Sequence, residues 1–182
     1  TKQGLFKKTL LEEYLSVKRS TGIQAIKIKD GDSIANVTFC DKEEFIIITK
    51  QGMSIRFETA AITPIGRATS GVKSIKLDET DEVLIGLPIH KLTDKLAVFN
   101  KSGMAKKTSL DEYPIQGRGG KGLKCSGSEI VGAALVDDTD NILLVGIPNS
   151  ICISAKDIPE LTRVAVGNQM IKNSVIKKVV KI

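Results

Sequence analysis

The stretch of the sequence best suited to chemistry is a glycine-rich run that carries two cations, Gly117-Arg118-Gly119-Gly120-Lys121-Gly122. Its spacing formally satisfies Gly-x-Gly-x-x-Gly, the fingerprint of a dinucleotide site. Such a site needs a strand before the run and a helix after it, so that the pyrophosphate meets the helix N-terminus. Pro114 lies just before the run, and residues 123–128 have no helical pattern. A Walker loop is excluded too, because Lys121 is followed by glycine and not by Ser or Thr.

The run is better suited to binding the backbone phosphates of a nucleic acid than to binding a dinucleotide. Glycines leave backbone N–H groups exposed on a flexible loop, and they let the Arg118 guanidinium and the Lys121 ammonium approach the phosphates of a nucleic acid. The alternative is a glycine-rich turn whose charge is incidental. If Gly122 adopts a positive φ, a β-branched residue at that position would strain the turn.

The remaining reactive side chains do not form an active site or a metal centre. His90 is the only histidine, and no nucleophile pattern or catalytic carboxylate pair accompanies it. The acidic residues at 137–140 lack the spacing of an EF-hand loop, which indicates an acidic turn. Tyr14 and Tyr113 belong to a duplicated Glu-Tyr element, and duplication favours a packing role. We therefore predict that this fragment is not itself an enzyme and holds no metal or cofactor.

The cysteine content points to a reducing compartment. Three scattered cysteines form no Cys-x-x-Cys pair, which argues against a disulfide framework and a zinc site. They are Cys40, Cys125 and Cys152. We expect buried thiols in a cytoplasmic protein. The longest apolar runs, such as 130–136, are far shorter than the ~18 residues that a membrane span needs. The chain starts with Thr1 and no secretory signal, so we expect a piece of a longer cytosolic protein.

The charge balance and the aromatic content narrow the class of partner. The 182 residues include 27 Lys and Arg against 21 Asp and Glu, a formal net charge of +6. This excess favours a polyanionic partner. Proteins that bind single strands stack the bases on aromatic side chains. This chain has five Phe, two Tyr and no Trp. The composition therefore favours duplex nucleic acid held by its phosphates.

The elements that position these residues recur along the chain. A basic residue followed four positions later by glycine occurs four times, and the glycines are spaced 49, 51 and 45 residues apart. The pairs are Lys18/Gly22, Arg67/Gly71, Arg118/Gly122 and Arg163/Gly167. We call these four glycines the anchor glycines. A period of this size predicts three full repeats and a fourth that is about two-thirds complete.

Each repeat contains the pattern of several strands. Residues 23–28 and 72–77 follow anchor glycines and alternate apolar with other residues, which predicts strands. Acidic turns follow, and then apolar strands at 45–48, 96–99 and 142–145. Gly52 and Gly103 come next, and glycine at such a position supplies the positive φ that a tight hairpin needs.

Repetition of four strands per unit predicts an all-β fold of propeller-like blades, because one blade alone cannot bury both of its faces. No long 3.6-residue periodicity interrupts the strands, and residues 9–17 suit one short helix at most. The whole chain, residues 1–182, is therefore predicted to be a single domain of about four blades with repeat anchors at the four anchor glycines.

Equivalent positions of stacked blades fall on one rim. We therefore expect the recurring cations to form a basic strip along the perimeter, with the acidic turns elsewhere, and a strip of this kind can follow a curved duplex. The predicted DNA-binding residues are Lys18, Arg19, Arg67, Lys73, Lys106, Lys107, Arg118, Lys121, Lys124 and Arg163.

The chain resembles the C-terminal domain of the A subunit of bacterial DNA gyrase and of its relative topoisomerase IV. The resemblance covers nearly the whole chain, is specific in the middle two repeats and fades after about Cys125. The run Gln116-Gly117-Arg118-Gly119-Gly120-Lys121-Gly122 resembles the gyrase A box, Gln-Arg-Arg-Gly-Gly-Lys-Gly, with Gly117 in place of the first arginine. Residues 54–57 and 64–72 also resemble blade elements of that family. In gyrase the box belongs to the first blade, whereas the match here lies in the third repeat.

The resemblance implies a β-pinwheel, in which neighbouring propeller-like blades exchange a strand or hairpin. It also implies that a basic rim bends and wraps duplex DNA to support ATP-dependent supercoiling. The partners would be the gyrase B subunit together with the rest of the A subunit, and the place of work would be the bacterial nucleoid. ATP and Mg²⁺ would be bound on other segments of the holoenzyme. The equivalent domain of topoisomerase IV stays open as an alternative, and a propeller scaffold for protein binding is a more distant one.

Overall fold

The computed structural model describes residues 1–15 and 20–182, and these residues form short antiparallel sheets that follow one another along the chain. A single short helix, α1, spans Glu12–Leu15, inside the window predicted for it. The strands are β1 (Leu5–Phe6), β2 (Glu44–Thr49), β3 (Met53–Glu58), β4 (Val72–Lys73), β5 (Val83–Pro88), β6 (Lys95–Asn100), β7 (Met104–Ser109), β8 (Leu123–Lys124), β9 (Ile130–Val136), β10 (Asn141–Ile147), β11 (Ile151–Ser154), β12 (Asn168–Gln169) and β13 (Val175–Lys181). Three short 3-10 turns begin at Thr59, Leu110 and Ala155. The all-β prediction is confirmed.

Four sheets act as the blades. Blade 1 pairs β1 with β4, and blade 2 has the order β5-β2-β3-β8. Blade 3 has the order β9-β6-β7-β12, and blade 4 has the order β13-β10-β11. The central hairpins form at the predicted places, since Gly52 and Gly103 have φ of +84° and +85°. The edge strand β9 contacts the edge strands β5 and β13 of the neighbouring blades. These three strands therefore lie where the blades meet, at the inner edge of each sheet, and β4, β8 and β12 lie at the outer edge.

In blades 1, 2 and 3, the outer strand comes from the next repeat. We call the segment that follows each anchor glycine an arm: arm 1 is 22–28, arm 2 is 71–77, arm 3 is 122–128 and arm 4 is 167–173. Lys124 in arm 3 pairs with Met53 of β3, and Gln169 in arm 4 pairs with Met104 of β7. After arm 3 has paired with blade 2, for example, the chain turns back and forms β9, the inner strand of blade 3. This exchange is the β-pinwheel arrangement.

The hydrophobic cores lie between neighbouring blades. Ile46 and Ile48 of blade 2 pack with Val98 and Ala133 of blade 3, and Phe99 of blade 3 packs with Ile142 of blade 4. Between blades 1 and 2, the ring of Phe6 meets that of Phe45 edge-on, with centroids 4.9 Å apart. Because each apolar face is covered by the next sheet, the blades depend on stacking for their stability.

Three sequence predictions about strands and cysteines need correction. The strand predicted at 72–77 is limited to Val72–Lys73. Residues 23–28 are not a strand, because among the described residues no sheet lies beside arm 1 for it to join. Cys125 is buried, and burial raises the pKa of its thiol to about 11. Cys40 is half-buried and Cys152 is exposed, so the expectation of three buried thiols is correct only for Cys125.

Candidate nucleic-acid interface

The anchor glycines let the arms approach the neighbouring blade closely. Gly122 has φ of +75°, and a Cβ at this position would lie 2.2 Å from the carbonyl oxygen of Ser54. Gly71 and Gly167 make the same approach, with φ of +86° and +92° and carbonyl oxygens 2.5 Å and 2.4 Å from the Cβ position. Glycine is required here by both conformation and space. Gly122 therefore has the positive φ under which a β-branched residue would strain the turn.

The glycine-rich run is bonded to the preceding arm. The N–H of Gly119 donates to the carbonyl of Ser74 at 2.7 Å, and the N–H of Lys76 donates to the carbonyl of Gly120 at 2.8 Å. The Arg118 guanidinium donates to the carbonyls of Lys73, at 3.1 Å, and Ala61, at 3.3 Å. The run is therefore a fixed connection between blades and not the flexible loop that we expected. The N–H of Gly119 is used internally and is not available to a phosphate.

A second arginine makes the same contact at the next junction, where the segment before arm 4 meets arm 3. Arg163 donates from Nη1 to the carbonyl of Lys124 at 2.9 Å, just as Arg118 does to Lys73. The backbone N–H of Arg163 donates to the Glu112 carboxylate at 2.9 Å, and the N–H of Arg67 donates to Glu13 in the same way at 3.2 Å. Two junctions thus place the arginine that precedes one arm beside a lysine of the arm before it.

The side chains of the predicted strip differ in exposure. Lys73, Lys124, Arg118 and Lys121 are exposed, whereas Arg67 and Arg163 are half-buried. Lys73 and Lys124 belong to β4 and β8, the outermost strands of their sheets. The structure therefore brings the exposed cations to the outer ends of neighbouring blades. Lys18 and Arg19 lie outside the described residues.

Lys106 and Lys107 do not belong to this surface. They are 1% and 4% exposed, because the next repeat covers them. The Lys106 ammonium donates to the carbonyls of Thr162, at 2.7 Å, and Arg163. Lys107 bonds to the carbonyl of Ala155 and to the Asp138 carboxylate. Because both ammonium groups are satisfied inside the protein, we remove these two lysines from the candidate interface.

Lys107 is one of three basic residues that join consecutive blades in the same way. Lys8, Arg56 and Lys107 each stand four residues after a hairpin glycine (Gly4, Gly52 or Gly103). Each donates at 2.9 Å to the carbonyl of the first residue of the 3-10 turn in the next repeat. We call this bond the blade clamp. The acceptors are Thr59, Leu110 and Ala155. Arg56 also pairs with Glu44. Lys8 and Lys107 belong to a duplicated element, Lys7-Lys8-Thr9 and Lys106-Lys107-Thr108. This element therefore serves packing, a role that its repetition could have suggested.

Two exposed lysines were missed from the sequence. Lys27 and Lys76 each stand five residues after an anchor glycine, and both are exposed on their arms. Their backbone N–H groups make equivalent bonds, to the carbonyls of Thr69 and Gly120. The recurrence at a fixed distance from the anchor glycine was a signal that could have identified them.

The acidic turns lie at the hairpin ends of the blades. The carboxylates of Asp32 and Asp81 each accept, at 3.0 Å, the backbone N–H of a glutamine in a Lys-Gln-Gly hairpin turn. The residues at 137–140 pair with lysines, as in the ion pair between Asp140 and Lys181. Within residues 1–15 and 20–182, no group of three His, Cys, Asp or Glu residues is placed to hold a metal ion. No helix among these residues is long and apolar enough to cross a membrane.

The pair between Asp138 and Lys107 makes stability depend on pH. The hydrogen bond from the Lys107 ammonium holds the pKa of Asp138 below its ordinary value. A depressed carboxyl pKa contributes stability above the unfolded pKa of about 3.9, and that contribution is lost as the pH falls through the folded pKa. We predict that Asp138→Asn lowers the Tm at pH 7 and that the difference from the unmodified chain shrinks as the pH falls below the unfolded pKa of about 3.9.

Thermal unfolding followed by circular dichroism from pH 7 to pH 2 measures this. Asp157→Asn, a change at an exposed carboxylate of the neighbouring 3-10 turn, is the control and should leave the Tm unchanged. A constant Tm difference for Asp138→Asn at every pH would show that packing, and not the ion pair, is responsible.

The strand exchange defines a β-pinwheel, a propeller-like array in which the outer strands β4 and β8 carry exposed lysines. The sequence matches the family described as DNA gyrase C-terminal domain, beta-propeller, at residues 1–41, 43–88 and 94–142. The chain belongs to this family.

The sequence relatives are gyrase proteins. The A subunit of DNA gyrase from Mycolicibacterium smegmatis (strain ATCC 700084 / mc(2)155) is 39% identical over 154 residues, which cover 80% of this chain and 18% of that protein. The A subunit of DNA gyrase from Helicobacter pylori (strain ATCC 700392 / 26695) is 36% identical over 183 residues, which cover 96% of this chain and 22% of that protein. The chain therefore spans only a small part of the relatives that it matches.

Two solved structures share the fold. The C-terminal domain of DNA topoisomerase IV has a TM-score of 0.94 at 24% identity, covering 100% of this chain and 59% of that one. The DNA gyrase A C-terminal domain has a TM-score of 0.83 at 21% identity, covering 99% of this chain and 63% of that one. At this identity the likeness establishes the fold alone. Since the sequence relatives are gyrase A subunits, the gyrase interpretation is favoured over topoisomerase IV.

Proposed function

We propose that this chain binds duplex DNA along the outer ends of its blades and bends the duplex around them. The observation that carries the proposal is the repeated junction, in which Arg118 contacts the carbonyl of Lys73 and Arg163 contacts the carbonyl of Lys124. Each junction fixes the backbone that carries an exposed lysine. The exposed lysines of successive blades then face successive phosphates of the duplex. Contacts to phosphates bind DNA without recognising its sequence.

The proposed setting is the gyrase holoenzyme. Family membership supports a role within the A subunit, in partnership with the B subunit during ATP-dependent supercoiling. This chain contributes the capture and bending of DNA, while the ATP and Mg²⁺ chemistry belongs to other segments. The nucleoid of a bacterial cytoplasm is the corresponding location.

The first test concerns the kind of nucleic acid. We expect binding of duplexes of different sequence with equal affinity, and weaker binding of single strands. The outer strands β4 and β8 each present a lysine, and none of the described outer strands carries an aromatic ring. Affinity should fall steeply with salt, with a slope of about −0.9 in log K against log salt for each phosphate contact. Fluorescence anisotropy at several salt concentrations measures both. A flat salt response, or a preference for single strands, would contradict duplex binding.

The second test concerns bending. A smooth bend of 40–90° over 20–30 base pairs costs on the order of 1–6 kcal/mol, which contacts from several blades must offset. Duplexes too short to reach a second blade should therefore bind much more weakly than longer ones. Energy transfer between dyes at the two ends of a long duplex should rise on binding. An unchanged end-to-end distance would show that the chain binds DNA without bending it.

A further inference from the structure

A buried ammonium group supports the turn that carries Arg163. Lys106 of β7 is 1% exposed, and its ammonium donates to the carbonyls of Thr162, at 2.7 Å, and Arg163. Burial lowers the pKa of this ammonium. An ammonium removed from water must find its hydrogen bonds inside the protein, and hydrogen bonds from a charged donor are strong. Lys106 therefore holds the backbone of the turn at two consecutive carbonyls.

The same arrangement occurs at the junction before arm 2. Lys7 and Lys106 each stand three residues after the glycine of a hairpin turn. The Lys7 ammonium donates to the carbonyl of Arg67, the counterpart of Arg163 in its repeat. It also donates to the carbonyl of Ala25 in the preceding arm at 2.5 Å. Two junction turns are thus held by a lysine from the strand beneath them.

The junction before arm 3 is built differently. Ile55 takes the place of the two lysines, and its side chain has no donor for the turn. At this junction the backbone N–H of Gly119 donates to the carbonyl of Ser74. The matching N–H groups of Ala68 and Val164 make no bond to the preceding arm among the described residues. A lysine is therefore present at the two junctions whose turn lacks this backbone bond.

Arg163 connects the buried ammonium to the outer edge of the blades. Its carbonyl accepts from Lys106, and its backbone N–H donates to Glu112 at 2.9 Å. Its guanidinium donates from Nη1 to the carbonyl of Lys124, also at 2.9 Å. Lys124 lies on β8 and is exposed. A line of contacts therefore runs from the interior of blade 3 to an exposed lysine of arm 3.

We propose that Lys106 is a positioning residue for DNA binding, which acts through Arg163 on the exposed Lys124. The proposal rests on the proposed function, since it concerns the same outer edge. With the ammonium in place, the backbone that carries Lys124 is ordered before DNA arrives. Without it, the two carbonyls of the turn lose their donor, and the turn must be ordered when DNA binds. Order that exists before binding strengthens binding without adding a contact.

The experiment is fluorescence anisotropy of a labelled duplex titrated with the 182-residue chain at several salt concentrations. Lys106→Met should weaken DNA binding about fivefold to tenfold, the cost of ordering one or two side chains at an interface. The salt slope should change by less than half of the ~0.9 that the loss of one phosphate contact removes. Lys106→Gln keeps a donor for one carbonyl and should bind with intermediate affinity, and it carries the test if Lys106→Met does not fold.

Lys107→Met is the matched control. It removes the neighbouring buried ammonium and the same charge, but that ammonium bonds to Ala155 and Asp138 and not to the turn. The control should lower the Tm without a measurable loss of DNA affinity. A double-mutant cycle gives a second measurement. In the Arg163→Met background, Lys106→Met should weaken DNA binding no further, because the link to Lys124 is already broken.

Three results would overturn the proposal. One is equal weakening by Lys106→Met and Lys107→Met, which would mean that lost charge or stability is responsible. Another is a double variant in which the losses from Lys106→Met and Arg163→Met add, which would mean that Lys106 does not act through Arg163. The third is binding by the Lys106 variants that is as tight as that of the unmodified chain. If the unmodified chain itself did not bind duplex, the proposed function would be wrong and this role would be wrong with it.

Discussion

Replacing Gly122 with Val should lower the free energy of unfolding by about 3 kcal/mol or more. Two effects act together at this position. The backbone has φ of +75°, which a β-branched residue rarely adopts, and the new Cβ would lie 2.2 Å from the carbonyl oxygen of Ser54. Because the obstacle is backbone, β8 must move away from β3. For a chain of this length the Tm should fall by about 6–12 °C.

Gly117→Val is the matched control for this change. Gly117 belongs to the same run, has no atom within 4 Å of its Cβ position, and is exposed. Its replacement should change the free energy of unfolding by no more than about 0.5 kcal/mol. Urea titrations of both variants measure the difference. Equal losses for the two variants would mean that the whole run, and not the junction with Ser54, is sensitive to bulk.

Removing the exposed lysines of the arms should have the largest effect on DNA binding. In the variant with Lys73, Lys121 and Lys124 all changed to Ala, the salt slope should shrink by about 2.7, which is 0.9 for each lost phosphate contact. At 0.1 M salt the affinity should fall on the order of a hundredfold or more. Stability should hardly change, because exposed cations contribute little to folding.

The charge-matched control removes three lysines that are already paired with carboxylates. Lys42 pairs with Asp41, Lys91 with Asp137 and Lys95 with Glu160. Changing these three to Ala lowers the net charge by the same amount, yet the salt slope should stay close to that of the unmodified chain. If both triple variants lost the same affinity and slope, net charge would drive binding and the arms would not be the interface.

The repeat and its turns could be predicted from the sequence because they rest on local backbone requirements. The hairpin glycines Gly52 and Gly103 both have the positive φ that their positions after apolar strands indicated. The apolar strand predicted at 45–48 lies within β2. Such features depend on a few neighbouring residues, and repetition amplifies the signal.

The roles of individual cations depend on contacts between distant residues, and the sequence does not display these. Lys107 and Lys73 both look like surface lysines, yet Lys107 is buried against the carbonyl of Ala155 and Lys73 is exposed. The strand pattern of 23–28 failed for a related reason. A strand needs a partner, and arm 1 has none among the described residues.

The exchanged arms have a consequence for cutting the chain. The exposed turn at 127–129 separates β8 from β9. A protease nick in this turn would yield two polypeptides that together still build blade 3. The first supplies the central pair β6 and β7, and the second supplies β9 on one side of that pair and β12 on the other. The two pieces would therefore stay joined through antiparallel ladders on both flanks of one hairpin, and the nicked protein should migrate as one particle until it is denatured. The protein is accordingly suited to being divided at this turn into two fragments that reassemble.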